Sequence, residues 1–184
     1  MPSPTGKGSG ISRSSDIAIR RLAAADAPAY RALRLRGLGE HPEAFTSSFE
    51  EESARSVAVA AARLAADGAD TVWGAFVGGE LAGIVGLGRE PRAKVRHKAT
   101  VFGMYVADEH AGRGLGTALL QQAIAAARAE SLEQLLLTVT ATNAGARALY
   151  EKAGFRPFGT EPRATRIGSA YHDKTHMILF LTPP

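Results

Sequence analysis

Cysteine is absent from all 184 residues. That removes a disulfide framework, a zinc–thiolate centre and a thiol nucleophile together, and it suits a reducing cytoplasm. Long apolar runs are absent too. Runs such as residues 135–139 and 177–181 are far short of the ~20 that a membrane helix needs. Residues 1–15 are rich in Gly, Ser and Pro, with only Lys7 and Arg13 charged. Without the apolar core of a signal peptide they read as a disordered leader, which leaves residues 16–184 as one domain. No dense Lys/Arg run is interleaved with aromatics, and the formal charge is only +4. Neither nucleic acid nor a membrane is therefore an expected partner, and no metal is expected.

What is present suffices for a core, since a chain of this length buries roughly two-thirds of its unfolded surface. Residues 16–21 alternate polar and apolar, as a half-buried strand does. Asp26 stands at a helix N-cap position, and residues 27–35 form the helix until Gly37 and Gly39 break it. His41-Pro42 reads as a turn, and Glu50, Glu51 and Glu52 lead into an alanine-rich second helix over 54–66, closed by Gly68. Two β-prone runs, 71–77 and 80–87, flank Gly78-Gly79, the signature of a tight hairpin. A basic loop over 91–98 precedes a strand at 100–106.

The next helix spans 117–130, with Leu120, Ile124 and Ala127 at helical spacing. Residues 135–140 are almost continuously apolar or β-branched, which suits a strand buried on both faces. A short helix over 144–153 is bracketed by Asn143 as cap and Gly154 as the left-handed residue after it. Strands at 155–158 and 175–181 follow, with 161–174 as the loop between them. The order is β-α-α-β-β-β-α-β-α-β-β, a mixed α/β (α+β) domain without internal repeats.

The most informative segment is Ala111-Gly112-Arg113-Gly114-Leu115-Gly116, between a strand and a helix. Glycines at alternate positions let backbone approach a ligand. The first helical amides, those of Thr117 and Ala118, add unpaired N–H groups and the positive end of the helix dipole. Together they form an anion cradle suited to phosphate or pyrophosphate. A P-loop would need Lys-Ser/Thr after the last glycine, where Thr117-Ala118 stand instead. A dinucleotide turn would need G-x-G-x-x-G and an acidic residue closing the next strand, and neither is present.

The run Met104-Tyr105-Val106-Ala107-Asp108-Glu109-His110-Ala111-Gly112-Arg113-Gly114-Leu115-Gly116-Thr117 resembles the acetyl-CoA-binding motif of the Gcn5-related N-acetyltransferase (GNAT) family, R/Q-x-x-G-x-G/A. Ala111 departs from it at the Arg/Gln position. Asn143, Ala146, Leu149, Tyr150, Gly154 and Phe155 resemble a second family signature, N-x-x-A-x-x-L-Y-x-x-x-G-F. The resemblance implies the GNAT fold, a central mixed sheet of about six to seven strands flanked by about four helices. It also implies acetyl-CoA as the acyl donor, and a primary amine of a small molecule or a peptide N-terminus as the acceptor.

By resemblance, Met104, Tyr105 and Val106 offer backbone groups to the pantetheine arm. The segment Ala111, Gly112, Arg113, Gly114, Leu115, Gly116 and Thr117 holds the pyrophosphate, and Asn143 lies along the same arm. Tyr150 is implied as the general acid for the departing thiolate, a role that a phenol, protonated at neutral pH, can fill. The strand at 100–106 has no carboxylate, so His97, His41, Glu43, Glu161, His172 and Asp173 all stand open as bases. Residues 37–53 and 161–174 are the implied acceptor-facing segments, and a homodimer involving 175–181 is also implied. A non-catalytic acyl-CoA-binding or sensor module is the alternative.

Overall fold

A computed structural model of the chain describes residues 17–65 and 68–182, and the leader expected over 1–15 lies outside them. The described strands are β1 (Ile17–Arg21), β2 (Asp70–Val77), β3 (Glu80–Arg89), β4 (Lys98–Val106), β5 (Gln134–Thr140), β6 (Arg156–Ile167) and β7 (Ala170–Phe180). They form a seven-stranded sheet in the order β1-β2-β3-β4-β5-β7-β6. The helices are α1 (Ala27–Glu40), α2 (Phe49–Ser53), α3 (Val57–Arg63), α4 (Leu115–Ala129) and α5 (Ala144–Lys152). Every neighbouring strand pair is antiparallel except β4–β5, which is parallel.

Alternation along β2 explains the layering. Trp73 and Ala75 face one core with Val85 and Leu87 of β3, beneath the α4 stripe Leu119, Leu120, Ala123, Ile124 and Ala127. Val72 faces the other way and joins Ile84, Tyr105, and Tyr30 and Leu33 of α1. Helices α4 and α5 thus cover one face of the sheet, and α1 covers the other. The Gly78-Gly79 turn has positive φ at both residues, 58° and 89°, as its hairpin requires.

Four expectations are corrected. Helix α1 does not end at Leu35 but runs through Gly37 and Gly39 to Glu40. Gly37 serves close packing, since a β-carbon there would lie 2.9 Å from the Tyr105 ring. Of the helix expected over 54–66 the described residues hold only α3, Val57–Arg63, and a separate short helix, α2, precedes it at Phe49–Ser53. Helix α2 starts earlier, in a capping box where Ser48 Oγ accepts the Glu51 N–H and the Glu51 carboxylate accepts the Ser48 N–H, each at 3.1 Å. Strand β5 buries Leu135, Leu137 and Val139 on one face, while Thr138 on the other is exposed.

The fourth correction concerns the loop expected over 161–174, which is strand for most of its length. Strands β6 and β7 form one long hairpin turning at Gly168, with a bulge between Glu161 and Thr165. Strand β7 therefore lies inside the sheet, and β6, not residues 175–181, is its free edge.

Candidate active site

Pairing between β4 and β5 covers only Lys98↔Gln134, Ala99↔Leu135 and Thr100↔Leu136. Beyond Thr100 the strands part, and the cause is local. On its other side β4 pairs with β3 at Phe102↔Gly86 and Tyr105↔Ile84, so Gly103 and Met104 together oppose Val85. This bulge, with Gly103 at φ 62°, bends β4 away from β5. Its β5-facing N–H and C=O groups are left without a strand partner, and such groups require one.

The gap opens into a cleft of about 760 Å³. Met104, Tyr105, Val106, Ala111, Gly112, Gly114, Leu115, Gly116, Thr117 and Asn143, all singled out in the sequence, line it. Arg113 does not; its Nη1 lies 3.0 Å from Nδ1 of His110. The Tyr105 ring is buried on the α1 side, where its hydroxyl donates to Glu40 Oε2 at 2.6 Å. Burial and that bond push the Tyr105 phenol well above its ordinary range.

The glycine loop has the form an anion requires. Gly112 and Gly114 have φ of 73° and 80°, and a β-carbon at either would meet nothing within 4 Å. Gly114 caps α4 without a side-chain hydrogen bond, which leaves the first-turn amides free. The free set sits one residue earlier than expected. Ala118 N–H donates to Gly114 O, so Leu115, Gly116 and Thr117 carry the open donors. Gly116 packs closely on α5, where its β-carbon would lie 3.4 Å from Leu149.

Helix α5 forms the opposite wall. Asn143 Oδ1 accepts the Ala146 N–H at 3.0 Å, and Gly154 ends the helix at φ 99°. Deeper in, the cleft adjoins a smaller hollow of about 70 Å³ that shares Ala44, Phe45, Met104, Asn143 and Ala146 with it and is also lined by Val101, Phe102, Gly103, Thr138, Thr140 and Tyr150. The Tyr150 side chain is 7% exposed and packs edge-on against Phe155, at 6.0 Å between ring centres. Burial pushes its phenol up to about 12, so it stays protonated far above neutrality.

Of the six candidate bases, the structure brings only His41 to the cleft wall, where Nε2 lies 3.3 Å from Asp108 Oδ1. His97 sits beside Gln134 at the paired end of β4. Glu161 pairs with His176, Asp173 accepts the Arg163 N–H, and His172 lies in the hairpin opposite Thr165. Glu43 takes part through its carbonyl, which accepts Thr140 Oγ1 at 2.6 Å and Lys174 Nζ at 3.0 Å. Lys174 also donates to Ala44 O at 3.3 Å and Thr140 Oγ1 at 2.9 Å. Burial pulls its ammonium below the ordinary lysine range. This clasp holds the Pro42–Ala44 turn over the cleft. Sequence reading missed it, together with the wall residues Ala44, Phe45 and Asp108, because their placement is purely tertiary.

A model of the acetyltransferase (GNAT) family matches residues 34–155. The chain belongs to the GNAT acetyltransferase family. It is 31% identical over 172 residues to a mycothiol acetyltransferase of Acidothermus cellulolyticus, covering 87% of this chain and 51% of that one. It is 35% identical over 80 residues to an L-methionine sulfoximine/L-methionine sulfone acetyltransferase of Pseudomonas aeruginosa, covering 44% of this chain and 46% of that one. The chain thus spans about half the length of the curated relatives it matches.

Among solved structures, a GNAT-family acetyltransferase from Streptococcus pneumoniae superposes with a TM-score of 0.78 at 27% identity, over 90% of this chain and all of that one. A putative acetyltransferase, yncA of Salmonella typhimurium, solved with acetyl-CoA, gives 0.76 at 23% identity, over 92% and 96%. The GNAT fold expected from the two motifs is the fold observed. Among the described residues no helix is long and apolar enough to cross a membrane.

Proposed function

We propose that this GNAT protein transfers the acetyl group of acetyl-CoA to a primary amine within a ternary complex. One observation carries the reading: parallel pairing stops at Thr100↔Leu136, directly beside a glycine cradle. The pantetheine arm, a chain of amides, fits the unpaired edge of β4 at Met104–Val106 as an added strand would. The open amides of Leu115, Gly116 and Thr117 receive the pyrophosphate at the α4 N-terminus. With the phosphates there, the thioester points to the deep end of the cleft.

The acceptor nitrogen, arriving as the neutral amine, forms its bond to the acetyl carbon as the carbon–sulfur bond breaks. The leaving sulfur takes its proton from the Tyr150 hydroxyl, which burial keeps protonated. The proton that the nitrogen then sheds passes to water in the open cleft, from which the Tyr150 phenolate is reprotonated after release of the thiol. The acceptor is a small-molecule amine or a peptide N-terminus. Relatives named for methionine sulfoximine and for mycothiol support the small-molecule side. The site belongs to a cytoplasmic protein that pairs through the free β6 edge, a pairing that light scattering would register as a doubled mass.

One feature favours a second reading, a non-catalytic acyl-CoA sensor: the phosphate loop has Ala111 where the family motif has Arg or Gln. Calorimetric titration with acetyl-CoA, coenzyme A and ATP tests both readings. Saturable acetyl-CoA binding near one per chain with ATP silent, followed by amine-dependent thiol release, is the expected result. Binding without thiol release from any amine supports the sensor. No binding at millimolar acetyl-CoA overturns both.

A further inference from the structure

Arg34 is a buried charge that the mechanism above leaves unused. It lies on α1, 8% exposed, on the face of the sheet opposite α4, α5 and Tyr150. Its counterion is shared and poorly aligned. Nε lies 3.3 Å from Glu52 Oε2 yet makes no hydrogen bond, and Nη2 reaches Ser47 Oγ at 3.4 Å and Glu52 Oε1 at 3.5 Å. The better contact to Glu52 belongs to Arg55, whose Nη1 donates to Oε1 at 2.9 Å. Nη1 of Arg34 bonds to none of the described residues. It stands over the β4 bulge: a β-carbon at Gly103 would find it at 3.4 Å and nothing else within 4 Å. Gly103 itself lines the deep hollow where the strands part.

A guanidinium held by Glu52 on its Nε–Nη2 edge keeps its Nη1 side open to a second anion over the β4 bulge. Its planar fork matches a carboxylate. We infer that Arg34 receives a carboxylate of the acceptor at the β4 bulge, so that the acetylated amine belongs to an amino acid or a similar amino-carboxylate. The inference rests on the acetyltransferase reading and adds the acceptor's chemical class. Donor and acceptor then enter from opposite faces of the sheet, with Tyr150 on one side of the gap and Arg34 on the other.

The test uses L-amino acids paired with the amines that lack their α-carboxyl group, followed by acetyl-CoA-dependent thiol release. In the wild-type protein kcat/KM is expected to be about tenfold or more higher for the carboxylated member. Arg34→Gln is expected to erase that preference through KM, with acetyl-CoA affinity by calorimetry unchanged within about twofold, and Arg34→Lys to retain part of it. Equal turnover of both members by wild type overturns the inference, as does an Arg34→Gln loss that is the same for both. Should Arg34→Gln fail to fold, the wild-type preference and Arg34→Lys decide. Saturable acetyl-CoA binding with no carboxylated acceptor turned over overturns the inference and leaves the donor site standing. No acetyl-CoA binding overturns the donor reading first.

Discussion

At Gly37 a β-carbon would lie 2.9 to 3.1 Å from three carbons of the Tyr105 ring. Alanine is the better helix former by about 1 kcal/mol, yet Gly37→Ala forces the ring to move. We expect a net destabilisation of about 1–3 kcal/mol, read by urea unfolding. Tyr150 makes a different demand. Tyr150→Phe keeps the packing against Phe155 and removes the proposed proton donor. Turnover is expected to fall about 10²-fold or more with acetyl-CoA affinity unchanged, and an unchanged kcat would remove Tyr150 from the chemistry. Both roles were only half legible in sequence. The family signature marked Tyr150, whereas Gly37 read as a helix breaker because its reason is a ring 68 positions further along the chain, on β4.

Elements whose logic is local were read correctly. The α5 cap, the Gly78-Gly79 turn and the glycine loop before α4 each need particular residues within a few positions. The β6–β7 hairpin was read short because an edge strand open to solvent need not alternate. Pro157, Gly159, Pro162 and Arg163 look like loop, but Pro157 and Gly159 pair with Met177 and His176 around one register shift, and the Glu161–Thr165 bulge absorbs Pro162 and Arg163. The Lys174 clasp is likewise invisible in sequence, since it joins β7, the end of β5 and the Pro42–Ala44 turn. Lys174→Met leaves the Glu43 and Ala44 carbonyls short of a donor. A loss of about 1–3 kcal/mol is expected by thermal unfolding, with looser acceptor binding under the freed turn.

For the molecule as a whole, stability at the pH extremes follows from groups on opposite sides of the fold. Burial raises the Tyr150 phenol from 10.0 to about 12. Its contribution is complete below pH 10 and is lost as pH rises toward 12, since the unfolded phenol ionises first. Tyr105, raised by burial and Glu40, adds to the same alkaline limb. At the acid end the Arg20 hydrogen bond holds Asp26 at about 2, and the Arg36 hydrogen bond holds Glu109 at about 2. Their share is present above the ordinary carboxylate range and disappears as pH falls through about 2. Circular dichroism against pH is expected to show alkaline loss beginning near pH 10 and shifted upward in Tyr150→Phe. Salt should weaken the acid-side share, because both pairs are surface pairs.

The short contact between β4 and β5 also has a mechanical meaning. Three residue pairs, Lys98–Gln134 to Thr100–Leu136, join a plate made of β1 to β4 to a plate made of β5, β7 and β6. Tension across the sheet falls on that seam, and tension across the domain is shared with the α4 core and the Lys174 clasp. A chain of amides laid along β4 between the plates shares the load as a bolt does, so tensile strength and affinity for the proposed donor rise and fall together.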